Sequence, residues 1–231
     1  MPPESAPLAA PEPGSARVET FSDAVFAFAA TLLVVALEVP SSFQELERVL
    51  AGFAPFTLSF GALILIWSVH RALFRRFPMA DRTTVVLNSF LLFVVLFYVY
   101  PLKFLARSVS SMLLGREAAG GVEIGSFEEL GRLFVWYGAG FAAIFLLVAL
   151  LYRHGVRRAA ALGLGPGARE QAAFLARHYA IFVAVGLLSI LLAVTGLGLR
   201  VALPGWIYGL LGPLCGAHGV WNARRTRRAA G

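Results

Sequence analysis

Only one cysteine, Cys215, occurs in the 231 residues, and charged side chains make up just 14% of them. The lone thiol excludes an intrachain disulfide and any cysteine-based redox or zinc motif; within an apolar segment it reads as a small buried residue. So low a charged fraction, beside 58% hydrophobic residues and a mean hydropathy of +0.75, excludes an ordinary soluble domain, of which about a quarter is charged. Acids are scarce in the apolar segments: Asp23 is the only one near an inner segment end, and Glu38 the only one near the outer end of that same segment. There is no intramembrane pair of carboxylates, no His-Glu-x-x-His and no Gly-x-Ser-x-Gly, so an enzyme is not expected. His154, His178 and His218 lack acidic or cysteine partners at ligand spacing, so neither a metal site nor another cofactor is expected. The formal charge of +7 does not point to nucleic acid either, because the arginines lie between apolar segments rather than on one face with interleaved aromatics.

What the chain has in abundance is apolar length. Crossing about 30 Å of hydrocarbon takes about 20 helical residues, and such stretches fall near 21–39, 53–74, 84–106, 133–152, 174–196 and 202–221. The expected fold is all-α, an integral membrane bundle of six transmembrane helices spanning 17–222. The Pro- and Ala-rich residues 1–16 read as a disordered cytoplasmic tail and residues 223–231 as a basic one. No basic n-region or small-residue cleavage site marks the first apolar stretch as a removable signal, so it is expected to be retained.

Basic residues set the orientation, because positive charge stays on the cytoplasmic side. With alternating spans, Arg17, Arg71, Arg75, Arg76, Arg82, Arg153, Arg157, Arg158, Arg169, Arg177, Arg224, Arg225, Arg227 and Arg228 share one side, fourteen of the twenty basic residues. Both termini are therefore expected in the cytoplasm. On the other side, Phe43, Leu46, Leu50 and Phe53 fall at helical intervals, as in a short interfacial helix, and Ser126-Phe-Glu-Glu129 matches a capping box opening the fourth span. The inner segment Gly163–Gly167 reads as a turn and lacks the Lys-Ser/Thr of a phosphate-binding loop.

Polar groups concentrate at the mouth of the first span, in Arg17-Val-Glu-Thr-Phe-Ser-Asp23. Groups that close to hydrocarbon are costly, and are tied to packing or to a permeation path. Thr20-Phe-Ser-Asp23 fits a capping box, which accounts for Thr20 and Asp23 but not for Arg17 or Ser22. Along the same helix Phe28, Thr31, Leu32 and Val35 follow i, i+3, i+4, i+7 spacing and share a face. Such a stripe packs against a neighbouring helix or lines a narrow pore that gates by excluding water; spacing alone favours packing. Ala24, Ala27, Ala29 and Ala30 permit the close helix approach that both readings need.

Trp67, His70 and Asn88 lie at the depth of Arg17, Ser22 and Asp23. Singly, Trp67 reads as an interfacial anchor and His70 as a solvated or hydrogen-bonded residue. Together the six suggest a buried polar network fixing the angle of the first helix, with Asp23 paired to Arg17 or His70.

Several short motifs in order resemble the prokaryotic TMEM175 family of potassium channels: Arg17-x-x-x-Phe21-Ser22-Asp23, Thr31-Leu32-Leu33, Val39-Pro40, Trp67-x-x-His70 with Leu73-Phe74-Arg75, and Asp81-Arg-Thr83 with Leu87-Asn88. The match is good over the first three spans and rests mainly on hydropathy beyond them. The resemblance implies a homotetramer whose first helices surround a central pore, without a filter of backbone carbonyls. Carried over, it places Phe28 where relatives have the isoleucine or leucine of the constriction, and Thr31 on a hydroxyl ring that favours potassium. Leu32 and Val35 extend the apolar lining. Three positions depart from the family: Phe28 itself, Arg71 in place of a second histidine, and Ala36 in place of an acid.

The expected function is a potassium-permeable, weakly selective cation channel conducting passively in the bacterial plasma membrane, with potassium and possibly other monovalent cations as permeant species. Its partners are further copies of itself and the lipid bilayer. A structural or regulatory membrane subunit without its own path is the alternative. An alternating-access carrier is less favoured, since neither Gly nor Pro interrupts Phe21–Val39.

Overall fold

The computed structural model describes residues 12–34, 41–114 and 125–229. In chain order the helices are α1 (Ser15–Val34), α2 (Phe43–Ala51), α3 (Phe53–Arg76), α4 (Arg82–Leu114), α5 (Phe127–Arg158) and α6 (Pro166–Thr195), followed by α7 (Leu203–Trp206) and α8 (Leu211–Ala229). Of these, α3, α4, α5 and α6 are each long and apolar enough to cross a membrane. In hydrocarbon every backbone N–H and C=O must be satisfied within the protein, which a helix does along its own length.

α1 lies against α3 and α4, α4 lies against α5, and α5 and α6 form the most extensive pair. One apolar cluster runs through all five helices, from Phe26, Ala29 and Leu33 on α1 through Leu63 and Leu73 on α3 and Leu91 and Val95 on α4 to Ile144, Leu151 and Tyr152 on α5 and Tyr179 on α6. Two glycines of α5 set how closely its neighbours approach. The Tyr98 ring of α4 lies where a Cβ on Gly140 would stand, and the buried Phe77 ring lies 2.7 Å from such an atom on Gly155. Gly155→Ala is therefore expected to displace Phe77 and lower stability by about 1–3 kcal/mol, as overpacking does. Gly167→Ala, with nothing within 4 Å of the new methyl, should be neutral. Thermal unfolding of the two variants in detergent checks the difference.

Several elements follow the sequence closely. α2 forms as the expected short helix, with Phe43, Leu46 and Leu50 exposed on it and Phe53 exposed at the start of α3. Ser126 caps α5 by accepting from the Glu129 N–H, while the Glu129 carboxylate accepts from the Gly125 N–H, closing the capping box one residue further back than its usual register.

Three differ. α1 begins at Ser15 rather than in the region of Thr20, so Thr20 lies inside the helix and its hydroxyl donates to Ala16 O instead of capping. The expected Thr20–Asp23 capping box is thus absent. Residues 12–16, expected in the tail, are held in place: Glu12 N donates to Pro78 O, and the Glu12 carboxylate accepts from Ala80 N and Arg158. The sixth apolar stretch is not one continuous helix: α7 and α8 are joined by a 3-10 turn at Ile207–Leu210. Pro213 has no N–H to bond the Gly209 carbonyl and the surrounding glycines favour no helix, which accounts for the interruption. Finally, α8 continues to Ala229, into the segment expected as a basic tail.

Candidate pore helix and its polar anchor

The buried face of α1 presents Ser22, Phe26, Ala29 and Leu33 to α3 and α4. Ser22 donates its hydroxyl proton to Val18 O at 2.7 Å, one turn back. Its oxygen can then only accept from the next partner, and it does so from Asn88 Nδ2 at 2.9 Å. That fixes the Asn88 amide, leaving Oδ1 to face His70 Nε2 at 2.8 Å, so His70 carries its proton on Nε2. One back-bond on α1 thus sets the polarity of a chain that ties three helices together. Ser22 and His70 are fully buried and Asn88 nearly so. The His70 ring packs between Phe26 (centroids 5.4 Å apart) and Phe74 (4.7 Å), which closes the network in apolar surroundings. His70 Nδ1 is buried without a hydrogen-bond partner among the described residues.

Asp23, the next residue on α1, joins a separate contact at the rim. Its Oδ1 accepts from Trp67 Nε1 at 2.8 Å, and the Arg71 guanidinium sits 5.4 Å from the Trp67 ring centroid, within cation–π range. The partner of Asp23 is therefore Trp67, not Arg17 or His70. Arg17 lies on the exposed side of α1, and its side chain makes no hydrogen bond or ion pair among the described residues. The sequence-expected polar set thus divides into a buried triplet, Ser22–Asn88–His70, and a rim pair, Asp23–Trp67, with Arg17 outside both.

The opposite face of α1 is uncovered. Phe21, Ala24, Ala27, Phe28 and Thr31 are all exposed, with Phe28 at 56%, whereas Leu32 is half-buried against the core. Val35 lies outside the described residues. The Thr31 hydroxyl donates to Ala27 O at 3.0 Å, which turns its lone pairs outward, where they can accept from water or coordinate a cation. At the other end of the helix the chain's single lysine, Lys103 on α4, donates to Leu33 O at 3.1 Å. α1 is therefore held at both ends on one side and bare on the other.

A second polar cluster, not expected from the sequence, lies at the arginine-rich end. His154 Nε2 is 2.9 Å from Asp81 Oδ2, Arg158 reaches both Asp81 Oδ1 (3.5 Å) and Glu12 Oε1 (2.5 Å), and Thr84 donates to Asp81 Oδ1 at 2.6 Å. Partial burial pushes the Asp81 carboxyl up, but the Thr84 hydroxyl, His154 and Arg158 outweigh it and hold it below the usual carboxylate range. His154 thus has an acidic partner 73 positions away, which no local spacing could show. The only sequence signal was that His154 and Arg158 stand one turn apart on α5.

A family model described as "Endosomal/lysosomal potassium channel TMEM175" matches residues 17–98, which hold α1, α3 and the anchoring residues. A potassium channel of Marivirga tractuosa is 34% identical over 220 residues, 92% of this chain and 89% of that protein. A potassium channel of Streptomyces collinus is 34% identical over 99 residues, 40% of this chain and 48% of that protein. The crystal structure of a threonine-to-alanine variant of the potassium channel MtTMEM175, bound to a nanobody–MBP fusion, resembles the present fold with a TM-score of 0.82. That match has 32% identity and covers 97% of this chain and 99% of that one.

Proposed function

The chain belongs to the TMEM175 family, and on that footing we propose that it is a potassium-permeable cation channel conducting passively through a homotetrameric pore lined by α1. Six crossings per subunit, counting α1 and the broken α7–α8 segment, return both termini to the arginine-rich side, which is the cytoplasmic face of a bacterial inner membrane. The observation that carries the reading is the asymmetry of α1: polar and apolar contacts fix one face, and a continuous stripe of Phe21, Ala24, Phe28 and Thr31 is left bare. One helix cannot enclose a path, whereas four copies of this face around an axis can. In that arrangement Phe28 forms the narrowest apolar ring, and Leu32, half-buried against the core, borders the lining. Thr31 presents hydroxyl oxygens one turn from the constriction, a hard ligand suited to partly dehydrated potassium. Asp23 serves as a structural partner of Trp67 and is not an ion site.

Conduction separates this reading from that of a structural or regulatory subunit, in which a partner helix covers the stripe. Purified protein in liposomes with opposed potassium and sodium gradients should release potassium faster than sodium; no flux above empty liposomes would favour the subunit reading. The topology has its own check. A cysteine at Ala160, in the exposed turn between α5 and α6, should be labelled only from the cytoplasmic side, and outer-side labelling would reverse the assignment.

A further inference from the structure

A crevice of about 560 Å³ opens between α3 and α6, away from the bare face of α1. Ala62, Leu65, Val69 and Ala72 of α3 form one wall, Tyr179 and Phe182 of α6 the other, and side chains of α4 and α5 close its floor. Its volume falls within the range of about 300–1,000 Å³ typical of sites that enclose organic ligands. The lining is apolar along the membrane-crossing part of both helices, so the medium that reaches it there is acyl chain, not water. The Ser68 and Tyr98 hydroxyls in the lining are each bonded to a backbone carbonyl, and positive charge appears at one end only. The stripe Ala62, Leu65, Val69, Ala72 continues one turn further to Arg76, which is half-buried and makes no hydrogen bond or ion pair among the described residues. It lies near Tyr152 and Tyr179, the latter a crevice residue. His178, also in the lining, has a buried Nδ1 without a hydrogen-bond partner among the described residues.

We propose that this crevice is a binding site for an anionic phospholipid of the arginine-side leaflet, with one acyl chain between α3 and α6 and the phosphate on Arg76. Charge complementarity selects the occupant: a zwitterionic lipid fits the apolar slot equally well but brings a cationic group to an arginine with no ion-pair partner among the described residues. The site needs only that the helices lie in a bilayer, and it stands or falls independently of conduction. A lipid seated there touches α3, the helix to which Asp23 is anchored through Trp67.

The test uses the full chain in neutral detergent, mixed with phosphatidylglycerol or phosphatidylcholine, and counts retained lipid per subunit by native mass spectrometry. The parent protein should retain phosphatidylglycerol in preference to phosphatidylcholine at one per subunit. Arg76→Gln should lower that preference several-fold, while Arg75→Gln, which removes the same charge from the neighbouring exposed position, should leave it unchanged. Ala72→Phe, which fills the slot, should remove retention of both lipids. Absence of a preference in the parent, or equal losses in the Arg75 and Arg76 variants, would overturn the site in favour of a diffuse arginine belt. Retention indifferent to both Arg76→Gln and Ala72→Phe would overturn it in favour of a crevice closed by a neighbouring copy. Neither Arg75 nor Arg76 makes a side-chain hydrogen bond or ion pair among the described residues, so their comparison decides the matter even if Ala72→Phe fails to fold.

Discussion

Asn88→Ala is expected to destabilise the protein more than any other single truncation at the base of α1. Asn88 links Ser22 and His70, accepting from His70 Nε2 at 2.8 Å and donating to Ser22 Oγ at 2.9 Å in a site closed by Phe26 and Phe74. Its removal strands the His70 Nε2–H and opens a cavity as well. A buried donor left without a partner costs about 1–3 kcal/mol, and the missing side-chain volume adds to that. Ser22 is affected less, because its hydroxyl proton remains bonded to Val18 O. Ser22→Ala should therefore be milder than Asn88→Ala, and the two together less than additive, since they share one bond. Thermal unfolding in detergent across the double-mutant cycle measures this. An Asn88→Ala protein as stable as the parent would mean that the three helices are held by apolar packing alone.

Phe28→Ala should have the largest effect on transport. If four Phe28 rings form the narrowest part of the path, an ion there sheds hydration without gaining ligands, in surroundings of low dielectric constant. Shortening the side chain to a methyl widens the neck and readmits water. Potassium flux should rise by at least about tenfold, equivalent to about 1.4 kcal/mol off the barrier, and discrimination against sodium should weaken because more of the hydration shell survives passage. The cost to folding should be small, since Phe28 is exposed and contributes nothing to the buried cluster. Phe182→Ala, on α6 and packed against the Phe141 and Phe145 rings, should instead lower stability without changing selectivity. Liposome flux of the two variants at equal oligomer yield checks the contrast.

The sequence showed the long helices because hydrocarbon imposes length and apolarity on every crossing, and it brought Ser22, His70 and Asn88 to one depth because depth follows from position along a helix. It did not show rotation about the helix axis. Arg17 and Asp23 are six residues apart, about 240° around the helix, which is why Arg17 faces outward while Asp23 meets Trp67. The start of α1 was misplaced for a different reason. Thr20 and Asp23 form a sound local capping signal, but Glu12 is fixed by Ala80 N and Arg158, contacts 68 and 146 positions away, and these carry the helix back to Ser15. The Asp81–His154–Arg158 cluster was invisible on the same grounds. The break before α8 was in principle legible in Pro213 and its neighbouring glycines, but apolar composition masked it.

The central claim is that the bare face of α1 is the wet path for ions. It is tested most directly by placing a cysteine at Thr31 in a Cys215→Ala background and following potassium flux in liposomes during treatment with a charged, membrane-impermeant thiol reagent. Thr31 is exposed on the face that carries Phe28, so reagent arriving through a water-filled pore should modify it and stop the flux. The same treatment of a cysteine at Val194, exposed on α6, should leave the flux unchanged. Sustained potassium flux after complete modification at Thr31, or a thiol there that the aqueous reagent never reaches while potassium still flows, would contradict the account and assign that face of α1 to packing.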